Sequence, residues 1–421
     1  MDVNRRLVNP SIDGATGHRS GPKRRRRAAL LILGPLLIVL LLLAGGSTPA
    51  FGTLTAIQRA KLTAIDGDRG DFFGRAVSLS GATALVGAWT DDEVGLDAGA
   101  AYVMVDDGSG SWSQQAKLTA SDAAALDRFG SAVSLDGDTA VVGAPGHDDN
   151  GLLTTGAAYI FVRNAEGIWM KQARLTASNA ADHDAFGRAV SISGDSVLVG
   201  APQKSSDGKL LGAAYVFVRD DQGNWSEQAK FDAPEPSRDI YFGFSVALDG
   251  DAAAVGSVSH SEGGEYTGAA YVFGRSGASW SQQAKLTASD TTPRKQFGEA
   301  VSIDDNLIVV GAPGDNLAGF SSGAAYVFEQ GPPGTWVQKV KLTAADVTRS
   351  DEFGWSVSLR GTTALVGAPG HRDAGERSGA AYVFAPDTAG VWSQQAKLVA
   401  ADAGAGDGLR ICEAVAQRQR S

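Results

Sequence analysis

The 421-residue chain has a single cysteine, Cys412, within its last ten residues. One thiol makes no internal disulfide, so the fold rests on a packed core and backbone pairing. Histidine is scarce too, with only His18, His147, His183, His260 and His371. No H-E-x-x-H, G-x-S-x-G or phosphate-binding glycine loop occurs, and no Cys/His cluster has metal-site spacing. His147 and His371 each follow Gly-Ala-Pro-Gly. A catalytic group is expected to break the symmetry of a repeat, so the chain reads as not an enzyme. Past residue 56 helical periodicity is missing outside the tail. Basic runs are missing beyond 23–27, and from residue 51 onward 29 Lys and Arg face 45 Asp and Glu, a net −16. Such a surface repels phosphates, which excludes nucleic acid as a partner.

One long apolar run is present, 28–44, behind the basic cluster 23–27 and ahead of Thr48-Pro49-Ala50. A basic flank, an apolar stretch and a small-residue exit describe a secretory signal cleaved after Ala50. The alternative is an uncleaved membrane anchor, for which seventeen residues interrupted by Pro35 are short. Either way the basic cluster stays cytoplasmic. Residues 1–50 are therefore expected to be a signal peptide or N-terminal anchor. The rest is expected outside the cell, secreted or attached to the outer side of the membrane, meeting the membrane only through that segment.

Phe-Gly recurs at Phe73, Phe129, Phe186, Phe242, Phe297 and Phe353, in steps of 55 to 57. Gly-Ala-Ala-Tyr recurs in phase at Gly99, Gly156, Gly212, Gly268, Gly323 and Gly379. A tryptophan recurs in phase as well, at Trp112, Trp169, Trp225, Trp280, Trp336 and Trp392. Each unit reads as four short strands, and the second copy serves as the example. "SAVSLDG" is a strand ended by Asp136-Gly137, a dipeptide suited to a two-residue hairpin. "DTAVVGAP" is a second strand, stopped by Pro145, which cannot donate to a ladder. "GAAYIFV" is a third, β-branched and aromatic. In the fourth, "IWMKQARLTA", alternation predicts Trp169, Lys171, Ala173 and Leu175 on one face. Four antiparallel strands per unit of about 56 residues predict a β-propeller over residues 51–400. Phe is expected to plug the seam between blades, and Trp to cover an outer edge with its N–H on water or a carbonyl.

Phe-Gly followed by Gly-Ala-Pro, intact at Gly143, Gly200, Gly311 and Gly367, resembles the FG-GAP repeat of integrin α-subunit propellers and related bacterial surface proteins. The motif is altered at Gly87-Ala88-Trp89 and Gly256-Ser257-Val258. The resemblance implies a propeller used in adhesion or extracellular recognition of protein or glycan. The alternatives are the propeller part of a secreted hydrolase or lyase system, or a structural scaffold subunit. Integrin propellers carry calcium loops between the first two strands. Here those positions are bare hairpins such as Ser80-Gly81 and Asp136-Gly137, so the family's calcium sites do not carry over.

The fourth-strand phrase "KLTA" and its variants occur seven times, from Lys61 to Lys397, against six sets of the other strands. Two closures stay open. Either six complete blades close with the N-terminal strand spare, or the template is a seven-blade ring lacking most of its last blade. The pattern breaks where Phe-Gly falls due near 409, and residues 401–421 are expected to be an irregular tail.

The loops after strands two and four share one rim and gather its acids. Asp66, Asp68 and Asp71 on a Gly-rich loop are the best Ca²⁺ candidates, since Ca²⁺ takes six to eight oxygens. The alternative is a solvated acidic rim. Asp91, Asp92, Asp148 and Asp149 are candidate ligand contacts on the same rim. The fourth unit departs most from the others and adds Arg238, Tyr241, His260 and Tyr266. Arg69-Gly70-Asp71, an integrin-ligand tripeptide, reads as an accident of a Gly- and Asp-rich loop.

Overall fold

The computed structural model describes residues 58–408 apart from 207, 236–239, 262–265, 291 and 333. The expected leader and the tail beyond 408 lie outside the described residues. Each Phe-Gly opens one four-stranded antiparallel sheet, and six such sheets form the blades of a six-bladed β-propeller. Blade two consists of Ala132–Asp136, Thr139–Ala144, Ala157–Arg163 and Trp169–Leu175, paired in chain order. Blades one and three to six span 73–118, 189–232, 242–286, 301–342 and 356–398. Blade three adds a two-residue hairpin, Ser205–Ser206 with Lys209–Leu210, in the loop after its second strand. Among the described residues no helix is long and apolar enough to cross a membrane.

The predominantly apolar second strands follow from being covered on both sides. Thr139–Ala144 is buried along its whole length, as are its counterparts Thr83–Ala88, Ser196–Ala201 and Leu307–Ala312. A lone blade would leave both faces wet, so stability resides in the seams. Between blades one and two, Leu85 and Val103 meet Val133, Val142 and Tyr159. A polar tie runs beside them. The serine inside the first strand of blades one, two, three and five accepts an N–H from the first strand of the next blade: Ser78 from Leu135 (3.0 Å), Ser134 from Ile192 (3.1 Å), Ser191 from Leu248 (3.0 Å) and Ser302 from Leu359 (3.0 Å). Only blade four, with Ala247 there, lacks the serine.

Phe-Gly plugs the seam as expected. Phe129, Phe186, Phe242, Phe297 and Phe353 are at most 1% exposed. Each bridges the Gly of the preceding Gly-Ala-Ala-Tyr phrase in parallel, Gly99 with Phe129 being the first. The following glycine turns the chain inward with φ near 87° at Gly130, where a Cβ would stand 2.2 Å from the Ala100 carbonyl oxygen. Only glycine serves both needs.

The fourth strand departs from simple alternation. In every blade the pairing of strands three and four shifts by one; in blade two Ile160 faces Ala173 while Phe161 faces Lys171, leaving Gln172 as a bulge. Trp169 therefore packs with Phe161 in the seam toward blade one. Leu175 packs with Ile160 in the seam toward blade three. The bulge also aims Gln172 at its neighbour: Trp225 Nε1 donates to Gln172 Oε1 at 2.9 Å, as Trp169 does to Gln115 (3.0 Å) and Trp280 to Gln228 (3.0 Å). In these three blades the tryptophan N–H meets an amide oxygen of the preceding blade, whereas Trp112 and Trp336 bury their N–H without a hydrogen-bond partner among the described residues. At the perimeter, the turns between strands three and four close on themselves, with Asp107 N–H on Ser111 O, Asn164 on Ile168, Asp220 on Asn224 and Asp387 on Val391, at 2.9 to 3.1 Å.

Residues 401–408 continue the repeat. The Gly406 and Gly408 N–H groups donate to Glu376 and Arg377 carbonyls (2.8 and 2.7 Å), as Ser350 and Glu352 do to Phe320 and Ser321 (2.9 and 3.0 Å).

Candidate functional site

The loops after strands two and four do share a rim, and in four of the six blades one cation of the fourth strand organises their acids. Lys117, on the fourth strand of blade one, reaches Asp66 (2.7 Å) in the loop before that blade and Asp91 (2.9 Å) in the loop after its second strand. Arg174 joins Asp122 and Asp149 (3.2 and 3.3 Å), Lys341 joins Asp290 and Asp315 (2.7 and 2.9 Å), and Lys397 joins Asp346 and Asp373. Burial disfavours charge on Lys117, but hydrogen bonds to Asp66, Glu93 and Asp91 outweigh it and raise its pKa. Much of the acidic rim is therefore an ion-pair lattice between successive repeats.

A second pairing, twenty residues apart in the chain, lies beneath it. The residue two before Phe-Gly is Asp71, Asp127, Asp184 and Asp351, and Asp407 stands two before the point where the broken repeat would place the next one. Each of these carboxylates accepts an N–H from three residues earlier, at 2.6 to 2.8 Å, and so closes its own loop. Facing it is a cationic or titratable side chain: His147 at 3.1 Å from Asp127, Lys204 at 2.7 Å from Asp184, His371 at 2.9 Å from Asp351. Blade five reverses the charges, with buried Lys295 3.0 Å from buried Asp315. Burial pushes the Asp315 carboxyl up, and hydrogen bonds from Lys341 and Lys295 more than reverse it, leaving its pKa lowered. Asp290, on the same two lysines, falls to about 2 despite burial.

His147 carries a pH consequence. Its bond to Asp127 raises its pKa above the ordinary 6.5, against burial and Arg174, with Asp122 adding to the rise. A raised folded-state pKa contributes stability that is complete below pH 6.5 and lost as pH rises through the folded value. His147→Gln is accordingly expected to lower the unfolding midpoint most below pH 6.5 and progressively less above it. A pH-independent difference in a melting series would contradict this.

The Ca²⁺ candidates do not converge. Asp66 is turned to Lys117; burial raises its pKa, but the Lys117 hydrogen bond and charge leave it lowered. Asp71 accepts the Asp68 N–H at 2.6 Å, and burial, with Asp91, Asp68 and Asp92 nearby, pushes its carboxyl up. In Arg69-Gly70-Asp71 the carboxylate is thus tied inward. Among the described residues two triplets do converge, Asp346/His371/Asp373 with an imidazole and the all-aspartate Asp249/Asp304/Asp305. Lys397 sits in the first. The second is part of a hydrogen-bond ladder between hairpins on the opposite rim, where Asp249 accepts the Asp305 N–H at 2.8 Å.

The other rim candidates are spread among roles. Asp91 is buried and accepts the Tyr102 hydroxyl at 2.7 Å. Asp92 and Asp148 accept the N–H groups of Asp97 and Thr154, both at 2.6 Å. Asp149 pairs with Arg174. In blade four His260 is buried 3.6 Å from Glu235. Tyr266 is 48% exposed with φ 52°, Tyr241 half-buried at the same φ, and Arg238 lies outside the described residues.

The first strands line a central channel, and at its mouth stands the residue directly after each Phe-Gly: Arg75, Ser131, Arg188, Phe244, Glu299 and Trp355. All six are half-buried, and the Arg188 guanidinium stacks 4.7 Å from the Phe244 ring centroid. These residues were not singled out from the sequence. The signal was present: within an otherwise constant phrase, this one position changes class in almost every copy.

Compared with known families, the profile described as FG-GAP repeat matches residues 57–104, 112–161, 169–217, 225–273, 280–328 and 336–384. No curated protein matches the chain significantly.

Proposed function

Because the chain belongs to the FG-GAP repeat family, we propose that it is an exported binding module recognising protein or glycan at or near the cell surface, through the channel mouth and the rim around it. Export rests on the basic cluster and apolar run that precede the propeller. The observation that carries the binding reading is the ring of Arg75, Ser131, Arg188, Phe244, Glu299 and Trp355. Repeat symmetry would place six equal side chains there. Instead two guanidinium groups, a carboxylate and two aromatic faces converge on one concave opening. Aromatic and arginine side chains are the groups that dominate binding hot spots. The rim acids, by contrast, are largely committed to lysine, arginine and loop N–H groups.

The test is a glycan array alongside a panel of extracellular proteins. For a ligand so found, Arg188→Ala and Trp355→Ala are each expected to weaken binding by about tenfold or more, ~1.4 kcal/mol. Thermal unfolding of both variants should stay near that of the parent. Binding that ignores both substitutions would remove the channel mouth as the site.

A further inference from the structure

The residues of the channel mouth stand in blade order around the axis, so their chemistry divides the opening in two. Arg75 and Arg188 flank Ser131 on the side of blades one to three, and Phe244, Glu299 and Trp355 face them from blades four to six. Serine is small, which leaves room between the two guanidinium groups. Paired guanidinium groups suit an oxyanion, which they meet with parallel N–H donors. Glu299 across the opening, when ionised, takes only donors. The cavity at the mouth measures about 170 Å³, below the roughly 300–1,000 Å³ of pockets for larger organic ligands. One small ring fills it.

The lip beside blade one extends the cationic half. Trp89 stands where four other blades carry the proline of Gly-Ala-Pro. Its ring centroid lies 5.9 Å from the Arg75 guanidinium and 5.2 Å from that of Arg128. Phe72, 62% exposed, has its ring 6.1 Å from the same tryptophan. At the perimeter, Arg163, Arg219 and Arg275 also lie over tryptophan rings, but each of them is held by an aspartate as well, Asp138, Asp195 or Asp251. Arg128 is exposed and has no such aspartate among the described residues. In the loop that carries Trp89, Asp91 is engaged by Lys117 and Asp92 by the Asp97 N–H. On a chain of net charge −10, cations and aromatic faces thus gather along one side of one opening.

Resting on the reading of the channel mouth as the binding site, we propose that its ligand is an acidic glycan, a sugar chain bearing carboxylate or sulfate. The anionic group of one sugar lies between Arg75 and Arg188, whose planar forks match such oxyanions. The ring of that sugar stacks on Trp355, and Glu299 accepts one of its hydroxyl groups. The next sugar crosses the lip over Phe72 and Trp89, with its charge on Arg128. A hydroxylated acid satisfies guanidinium and carboxylate within a single ring. An aspartate or glutamate side chain of a peptide does not, since it brings no hydroxyl to Glu299 and sets a like charge against it.

The experiment screens the full chain against uronate, sialate and sulfated oligosaccharides, each beside its methyl-esterified or desulfated counterpart, with poly-glutamate as the acidic peptide. At least one acidic glycan is expected to bind about tenfold or more tightly than its uncharged counterpart. Its affinity should fall as salt rises. A preference found in the esterified pairs assigns the charge to carboxylate, and one found in the desulfated pairs assigns it to sulfate. Arg75→Ala should remove the preference. Arg128→Ala, at an exposed side chain, should weaken the acidic glycan about threefold or more and leave both its uncharged counterpart and the unfolding midpoint unchanged. Equal binding of charged and uncharged glycans, lost in Trp355→Ala, overturns the acidic ligand but keeps the mouth as the binding site. A neutral glycan or a protein that binds there while no acidic glycan does has the same meaning. Acidic-glycan binding that ignores Arg75→Ala, Arg128→Ala and Trp355→Ala alike overturns the ligand and the site together. Poly-glutamate bound more tightly than every acidic glycan assigns the mouth to an acidic peptide and overturns the proposal, as does binding of no acidic glycan at all.

Discussion

Replacing Phe186 with alanine is expected to destabilise the protein by about 3–5 kcal/mol. Its ring is 1% exposed and lies edge-on to Tyr215 and Phe217, with centroids 5.5 and 6.0 Å away. Its backbone meanwhile bridges Gly156 of the preceding blade. Truncation thus leaves a void at a seam whose backbone is pinned on both sides and cannot collapse into it. The measurement is a denaturant titration, where the midpoint should fall while the slope stays unchanged. Phe73→Ala supplies the internal comparison, since Phe73 is half-buried. Its loss should be clearly smaller. Equal losses at the two sites would mean that the seam contacts are not what holds the phenylalanines.

Lys204→Met is expected to cost a similar amount, about 3–5 kcal/mol, because it strands a buried carboxylate. Asp184 is fully buried, with one carboxylate oxygen 2.7 Å from Lys204 Nζ and the other without a hydrogen-bond partner. After the substitution only the Ala181 N–H, at 2.8 Å, still faces it. The double variant Lys204→Met, Asp184→Leu should recover most of the loss, because a buried pair exchanged for apolar side chains is often neutral. Blade four already carries Ile240 at the aspartate position. A double variant no more stable than the single would show that Asp184 matters chiefly as the loop-closing acceptor for Ala181.

The architecture was legible because three markers recur in phase, and a repeat that cannot bury its own faces has few ways to stack. The bulge at Gln172 was not legible. A bulge in all six copies leaves the repeat spacing untouched, so only pairing reveals that Trp169 and Leu175 face different seams. The rim acids looked like ligands for a cation because their counter-charges are remote in sequence, Lys117 standing 51 residues from Asp66. The Asp127–His147 and Lys295–Asp315 pairs were readable in principle, since the reversal of charge in blade five is the mark of two positions in contact. The channel-mouth residues escaped notice because attention to what recurs passes over the position that does not.

The self-contained turns at the perimeter have a practical consequence. Those at 107–111, 164–168, 220–224 and 387–391 close on their own hydrogen bonds, and blade four manages with a tight connection at Gly277. Fluorophores attached at such turns would sit on the spokes of the wheel without disturbing the hub. Energy transfer between a dye at 109 and one at 389, set beside a pair at 109 and 166, would read the angular spacing directly and report whether the sector between the last spoke and the first is wider than the rest.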